Sequence, residues 1–504
     1  MIDPRTPVLI GAGQQSQRLD DPTDAVEPID LLAAAARAAE ADAGARRSVL
    51  AALDTIAVVA MVSWNYPDPG ALLARRLGTD VRTTMTTTVG GNSPQLLVTE
   101  VSAAIARGEV DVALLGGAEC VHTRWRARRD PKVWLDWTQT DDPPCPVVIG
   151  DDRAGTDDYE MVHLAVAPTQ IYPLFETALR AAHGHAVDEH QQRTSELWAT
   201  FAAVAAANPH AWSRDGWSAD EIRTPGPDNR IVTFPYPKRM CANIDVDQSA
   251  ALLLCSYEAA RDLGVPEDRL VYPLAGADAH DHFLFSERDT LCDSTAIAAA
   301  GRDALAAAGA GVDDVARFDL YSCFPSAVQI GMRALGLGGP LAGDDRPLTV
   351  TGGLGFAGGP ANDYPTHAIA AMVQACRQDP GSIGMVSALG WYATKHSIGV
   401  YSTTPPANAF TRVDKTATQA QVDALPGRER AGTFDGDATV ESTAVVFDRD
   451  TGPSFAIVTA LTPDGRRALA NSRDAGVLAS MVEGPWEGRS VRLTTDGATN
   501  SLRT

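Results

Sequence analysis

One order of elements occurs twice in this chain, about 270 residues apart, and that repeat constrains the fold more than any other feature. In the first copy a strand at residues 8–10 ends in Gly11-Ala12-Gly13, and an Ala-rich stretch at 28–42 carries apolar residues at helical spacing. A strand at 55–62, a short helix at 70–77 and a Thr-rich strand at 83–89 follow, the last turning at Gly90-Gly91. A helix at 95–107 leads to a buried strand at 110–115, closed by Gly116-Gly117. In the second copy a helix at 294–308, a strand at 317–321, a helix at 326–335 and a Thr-bearing strand at 348–351 reach a turn at Gly352-Gly353. A helix at 364–377 and a strand at 383–387 then end in Leu389-Gly390. A period this long means a duplicated domain and not a solenoid. Strands alternating with helices predict mostly parallel sheets covered on both faces. The two copies then meet across a pseudo-two-fold axis, with their glycine turns facing a shared crevice.

Two stretches fall outside the repeat. Residues 121–235 are rich in Trp, His, Asp and Pro and hold amphipathic helices near 168–183 and 188–208, an insertion of the kind that covers the mouth of a site. Beyond Pro405-Pro406, short alternating stretches at 439–447, 455–461 and 491–494 predict a small β-rich domain, an OB-fold barrel being one form of it. The expected division is 1–120 with 236–285 as an N-terminal half and 121–235 as an inserted loop domain. A C-terminal half (286–410), a linker (411–429) and an added domain (430–504) complete it.

With 64 acidic and 42 basic residues the formal net charge is −22, which argues against a nucleic-acid partner, since that needs a positive field. The seven cysteines have no CxxC spacing, so neither a disulfide framework nor a zinc site is expected. No apolar run approaches the ~20 residues of a membrane span. The N-terminus has neither the charged nor the apolar region of a signal peptide, and a cytoplasmic location is expected.

Asp278, His280 and His282 alternate, as ligands on one face of a strand or as a polar strand edge; no metal is expected. His183, His185 and His190 are read as an exposed turn and a helix start. Gly11-Ala12-Gly13 lacks the later glycine of a dinucleotide fingerprint, so NAD is not expected.

Four short motifs stand in a telling order: Thr88-Val89-Gly90-Gly91-Asn92-Ser93, Tyr321-Ser322-Cys323-Phe324, Gly358-Gly359-Pro360 and Ala388-Leu389-Gly390-Trp391. On these the chain, over about residues 5–405, resembles the thiolase superfamily. Within it the chain is most similar to the thiolase-like protein type 1 group, whose members resemble sterol-carrier-type thiolases and carry an additional C-terminal domain. The resemblance implies an α/β, duplicated thiolase fold layered αβαβα. Thiolase chemistry uses a cysteine nucleophile at a helix N-terminus, an activating histidine, a second cysteine as acid/base, and donors for the thioester oxygens.

By this resemblance Ser93 stands at the nucleophile position and Tyr321 at the oxyanion-hole position. Gly359 stands at the lost histidine, and Ala388 (Ser387 if the alignment slips by one) at the lost acid/base cysteine. Gly390 retains a backbone N–H for a ligand. A serine is a poor nucleophile without a base, and a second reading makes Ser93 the N-cap of its helix. His396 is a candidate base, or a loop histidine bonded to backbone, and Cys323, a packing residue of the C-F pair, is its other imaginable partner.

The expected ligand is CoA or an acyl-CoA, with no cofactor, in a protein of lipid metabolism that has lost ordinary thiolase turnover. Tyr321, Ser93 and the Gly390 N–H are expected to line its crevice. Two alternatives are an acyltransferase working through Ser93 and His396, and a scaffold whose C-terminal domain binds a protein partner. Thiolases pair through the strand leading to the nucleophile, here 83–89; the added domain blocks or replaces that contact in the expected monomer.

Overall fold

The structure, a computed structural model, describes residues 2–407 and 410–503. The first half runs β1 (Pro7–Ser16), α1 (Pro28–Ala43), β2 (Thr55–Val58), α2 (Pro69–Leu77), β3 (Thr83–Thr87), α3 (Ser93–Ala106), β4 (Val112–Cys120) and α4 (Val121–Arg129). The insertion holds β5 (Val147–Ile149), α5 (Asp158–Val162), α6 (Pro168–His183), α7 (Val187–Ala207), α8 (Ala219–Arg223), β6 (Ile231–Phe234) and β7 (Tyr236–Pro237). The first half resumes with β8 (Asp247–Ser256) and α9 (Tyr257–Leu263). The second half comprises β9 (Tyr272–His280), α10 (Thr295–Ala308), β10 (Val315–Asp319), α11 (Pro325–Leu335), α12 (Gly353–Phe356), α13 (Tyr364–Gln378), β11 (Ile383–Gly390) and β12 (Lys395–Ser402). The tail contains β13 (Thr411–Arg412), α14 (Lys415–Asp423), β14 (Gly436–Asp448), β15 (Gly452–Leu461), β16 (Arg467–Ser472), α15 (Ala475–Glu483), β17 (Ser490–Thr495) and β18 (Asn500–Arg503).

The duplication is visible in the sheets. One has the order β1-β8-β4-β2-β3-β5 and the other β10-β11-β12-β9-β13. In each half two antiparallel pairs, β4-β8-β1 and β11-β12-β9, continue a parallel pair, β2-β4 and β10-β11. Helices α3 and α13 fill the layer between the sheets, each packing on strands from both halves, while α1 and α10 cover the outer faces. This is the αβαβα layering. A helix between two sheets has no solvent face, which is why α3 buries almost every residue from Ser93 to Ile105 instead of a single stripe. Gly11 and Gly13 have a packing role: a Cβ on either would collide with the Ala39 or Ala35 carbonyl of α1.

Several expected elements differ. Gly116-Gly117 do not close their strand but lie inside β4, where the close layers leave no room for side chains, whereas Leu389-Gly390 are the last two residues of β11. Residues 348–351 are not a strand. Pro347 and Leu348 accept backbone bonds from Phe318 of β10 and from Leu320 just past it, and the Asp319 carboxylate takes the Val350 and Thr351 N–H groups instead of a ladder (2.9 and 3.2 Å). The stretch 411–429 is not an extended linker: β13 adds to the edge of β9 and α14 packs on β9 and α10. Two buried residues, Thr418 and Val422, anchor α14, too few to give its sequence a clear helical stripe.

The tail forms a closed five-stranded barrel in the order β14-β15-β16-β18-β17-β14, antiparallel except for β16–β18, with α15 between the third and fourth strands. That order and helix position give the OB-type barrel. The insertion joins it through β6, which pairs with β14 at Phe234↔Val445. Arg467, fully buried, pairs with Glu441 (2.6 Å) and donates to the carbonyls of Ser286 (3.1 Å) and Arg288 (2.5 Å), pinning the barrel to the second half. No described helix is long and apolar enough to cross a membrane.

Candidate functional site

After β3 the chain turns through Thr88–Asn92 into α3, and Ser93 is the first helical residue. Asn92, not Ser93, is the cap residue, and its side chain makes no capping bond. The Ser93 hydroxyl, 1% exposed, donates to the Thr88 carbonyl (3.0 Å). A carbonyl cannot take a proton, so this bond supplies no activation of the serine oxygen. The loop is tied to the Gly358–Pro360 region through Asn362, whose Oδ1 accepts the Gly90 N–H (3.0 Å) and whose Nδ2 donates to the Ala60 carbonyl (2.8 Å).

Tyr321 reaches the same loop. Its backbone N–H donates to Ser387 Oγ (3.0 Å), its ring lies edge-on to Tyr364 (5.6 Å), and its hydroxyl lies where a Cβ on Gly91 would stand. The Leu389 carbonyl crowds Gly91 from the other strand, so the space above the nucleophile loop is filled. Burial raises the Tyr321 phenol pKa, so the hydroxyl stays a donor. Gly390 is close as well: a Cβ there would be 3.0 Å from Lys395 Cε and 3.3 Å from Gly90 Cα. Tyr321 and Gly390 therefore both adjoin the glycine turn that leads into Ser93.

Gly359 instead donates its N–H to the Asn243 carbonyl (2.8 Å), and Ala388 is buried opposite Ser397, so neither position carries an acid or base. Trp391 has left-handed backbone (φ 59°), which costs about 1–2 kcal/mol in a residue with a Cβ. Tyr172 holds that turn, donating to the Trp391 carbonyl (3.1 Å) and accepting the Ala393 N–H (3.0 Å).

Strand β12 decides which of two adjacent residues serves the loop, because successive side chains point to opposite faces. Lys395 points inward, donating from Nζ to the carbonyls of Val89 (2.8 Å) and Asp151 (2.9 Å). It is 4% exposed; burial lowers its pKa and the Asp151 charge works the other way. His396 points outward, with Nε2 at 3.2 Å from Asp281 Oδ2, 3.1 Å from the Ala393 carbonyl and 3.5 Å from Ser294 Oγ. Burial works against the Asp281 charge, yet the His396 ring and the nearby Arg288 hold its carboxyl below the ordinary range. Cys323 is buried, which pushes its thiol up to about 12 and keeps it protonated. Lys395, Asn92 and Asn362 were not singled out by sequence; the Lys-His dipeptide was the available signal, and only strand register tells which of the two faces inward.

A cleft of about 660 Å³ runs along α3 beside this loop. One side is a single face of α3 (Asn92, Leu96, Glu100), the other is α14, and Lys395 lies at its inner end. Ser93, Tyr321 and Gly390, expected to line the ligand crevice, are not among its lining residues. Asn92 Oδ1 is buried there with no hydrogen-bond partner. Three of the cleft acids have partners: Asp151 has Arg153 (2.6 Å), Glu100 has Arg412 (2.7 Å), and Asp278 has Ser397 Oγ (2.5 Å), although its Oδ2 accepts no hydrogen bond. Arg153 lies over the Phe283 ring (4.1 Å) and donates to His280 Nε2 (3.0 Å). With Asp278 and His280 so engaged and His282 beyond the end of β9, those three do not form a ligand set.

Residues 417–498 match the family model described as the thiolase-like protein type 1 additional C-terminal domain. The solved structure of a monomeric SCP2-thiolase-like protein type 1 from Mycobacterium smegmatis is 34% identical, over 100% of each chain, with a TM-score of 0.84. An acetyl-CoA acetyltransferase from Syntrophomonas wolfei (16% identity, 80% of this chain and 100% of that one, TM-score 0.56) shares the fold. So does the dimeric peroxisomal thiolase of Saccharomyces cerevisiae (13%, 80% and 98%, 0.55). No curated protein matches the chain in sequence.

Proposed function

Because the chain belongs to the SCP2-thiolase-like proteins of type 1, we propose that it binds CoA or an acyl-CoA in the cleft along α3 and does not turn it over as a thiolase. The observation that carries this reading is the unpartnered Asn92 Oδ1 beside the Lys395 ammonium. A buried acceptor with no partner costs about 1–3 kcal/mol, and an amide N–H of a pantetheine arm satisfies it. Lys395 has three donors and uses two on backbone, which leaves one for a thioester carbonyl. Farther out, exposed Lys415 and the mouth-lining Arg153 suit the phosphates at the other end of such a ligand. The volume lies within the range of about 300–1,000 Å³ typical of small-molecule sites.

Turnover is excluded in this reading by the same residues. Ser93 lacks a base, Gly359 and Ala388 lack side-chain acids or bases, and losing interdependent groups together leaves only binding and oxyanion effects. Lipid metabolism is the setting we infer from the family. A working monomer is part of the proposal, because β5 of the same chain already pairs with β3, the edge through which thiolases pair. Calorimetric titration of the full chain with CoA and acetyl-CoA tests the reading. One site per chain is expected for at least one of them, and no heat at millimolar ligand removes it.

A further inference from the structure

A second site lies away from this cleft, at the turn between α6 and α7. His183 ends α6, His185 follows the Gly184 cap, and His190 sits in the first turns of α7. One ring nitrogen from each lies within 4.8 Å of the other two. We propose that His183, His185 and His190 form a three-histidine site for a divalent transition-metal ion of the zinc class.

Two distances support this beyond proximity. The Nδ1 atoms of His185 and His190 face each other at 3.2 Å. Zn–N bonds of 2.0–2.1 Å at a tetrahedral angle put two ligand nitrogens about 3.3 Å apart. The far nitrogen of His190 meets a carboxylate, Nε2 being 2.6 Å from Glu176 Oε1, while His185 Nε2 has Glu189 Oε1 nearby at 4.0 Å. A proton held at His190 Nε2 by Glu176 leaves its Nδ1 lone pair for metal, the outer-shell arrangement found around ligating histidines.

Glu176 is itself fixed. It is buried and accepts from Tyr236 (2.5 Å), Gln329 (2.8 Å) and Thr194 (3.2 Å), so the His190 ring has one orientation. Arg180 holds the turn by donating to the His185 carbonyl (3.0 Å) and pairs with Glu487 of the tail. His183 is exposed and free to complete the set. The three histidines line a cleft of about 410 Å³ that also includes Met332 and Leu337, so the fourth metal position opens to solvent. Three protein nitrogens with an open position is a zinc arrangement, and imidazole also suits nickel and cobalt.

The test uses Co²⁺ as the probe on the full chain with any affinity tag removed. One equivalent of Co²⁺ is expected to bind at micromolar concentration with the intense visible absorption of four-coordinate cobalt, and Zn²⁺ is expected to bleach it. His183→Ala and His185→Ala each lower affinity by at least tenfold without changing the melting temperature of the metal-free chain, since both side chains lie at the surface or half-buried. Absence of stoichiometric binding, or binding retained by the double variant, overturns the proposal.

Discussion

The two halves hold equivalent loops by different means. In the first, the strand leading to the nucleophile loop, β3, is set by backbone ladders to β2 and β5. In the second, the matching stretch 348–351 makes no strand, and the Asp319 carboxylate accepts from the Val350 and Thr351 N–H groups and from the hydroxyls of Thr349, Thr351 and Tyr364. One buried side chain thus replaces a ladder. The first half has its own buried carboxylate, Glu119 on β4, but that one holds only the Val62 and Ser63 N–H groups (both 2.7 Å) after β2. A ladder spreads the load over a strand; a carboxylate concentrates it on one residue.

That contrast breaks most readily at Asp319. Asp319→Ala leaves the Val350 N–H without its acceptor and strips bonds from Thr349, Thr351 and Tyr364, which keep one another, and a loss of about 2–4 kcal/mol is expected in denaturant unfolding. A loss below about 1 kcal/mol means that 348–351 is held by packing instead.

Glu119 gives a pH signature. Burial, only partly offset by its hydrogen bonds, raises its carboxyl to about 7. A folded pKa above the unfolded value near 4.3 means that the native state keeps a proton that the unfolded chain releases. Stability therefore falls as pH rises from about 4.5 to about 7, by on the order of 3 kcal/mol, and stays lower above that. Glu119→Gln is expected to flatten this slope in unfolding curves from pH 5 to 8, whereas an unchanged slope assigns it to other groups.

The halves also reach into each other, and here the difference is functional. Gln248 on β8 donates to the Ala357 carbonyl (2.9 Å) of the second half, and Lys395 on β12 to the Val89 carbonyl (2.8 Å) of the first. Gln248→Ala is expected to cost about 0.5–1.5 kcal/mol, since the Ala357 carbonyl keeps the Trp212 N–H (2.9 Å), and Lys395→Ala about 1–2 kcal/mol by removing the ammonium from the Val89 and Asp151 carbonyls. Only Lys395→Ala is expected to weaken CoA binding, by about tenfold in calorimetry. Equal affinity in the two variants separates the ligand from the Lys395 end of the cleft.

Much of the fold is legible in sequence because it follows from period and punctuation. The bounds of α6 match the expected 168–183, and α1, α7 and α13 are within two residues of theirs. What sequence hides depends on register or on distant partners. Lys395 and His396 are neighbours whose roles only the sheet assigns. A three-residue strand such as β5 has no periodicity of its own and exists because β3 offers an open edge. The three histidines read as an exposed turn, but Glu176, two turns back on α6, draws His190 into the interior.

The central claim is that a thiolase fold has kept a ligand cleft while its chemistry has been removed. It is tested most directly by mixing excess chain with radiolabelled acetyl-CoA and measuring released CoA and protein-bound acetyl group in a single turnover. The account predicts acetyl-CoA that binds and is recovered intact, identically for the wild-type chain and Ser93→Ala. Release of one equivalent of CoA with acetyl transfer to the chain, lost in Ser93→Ala, would contradict it.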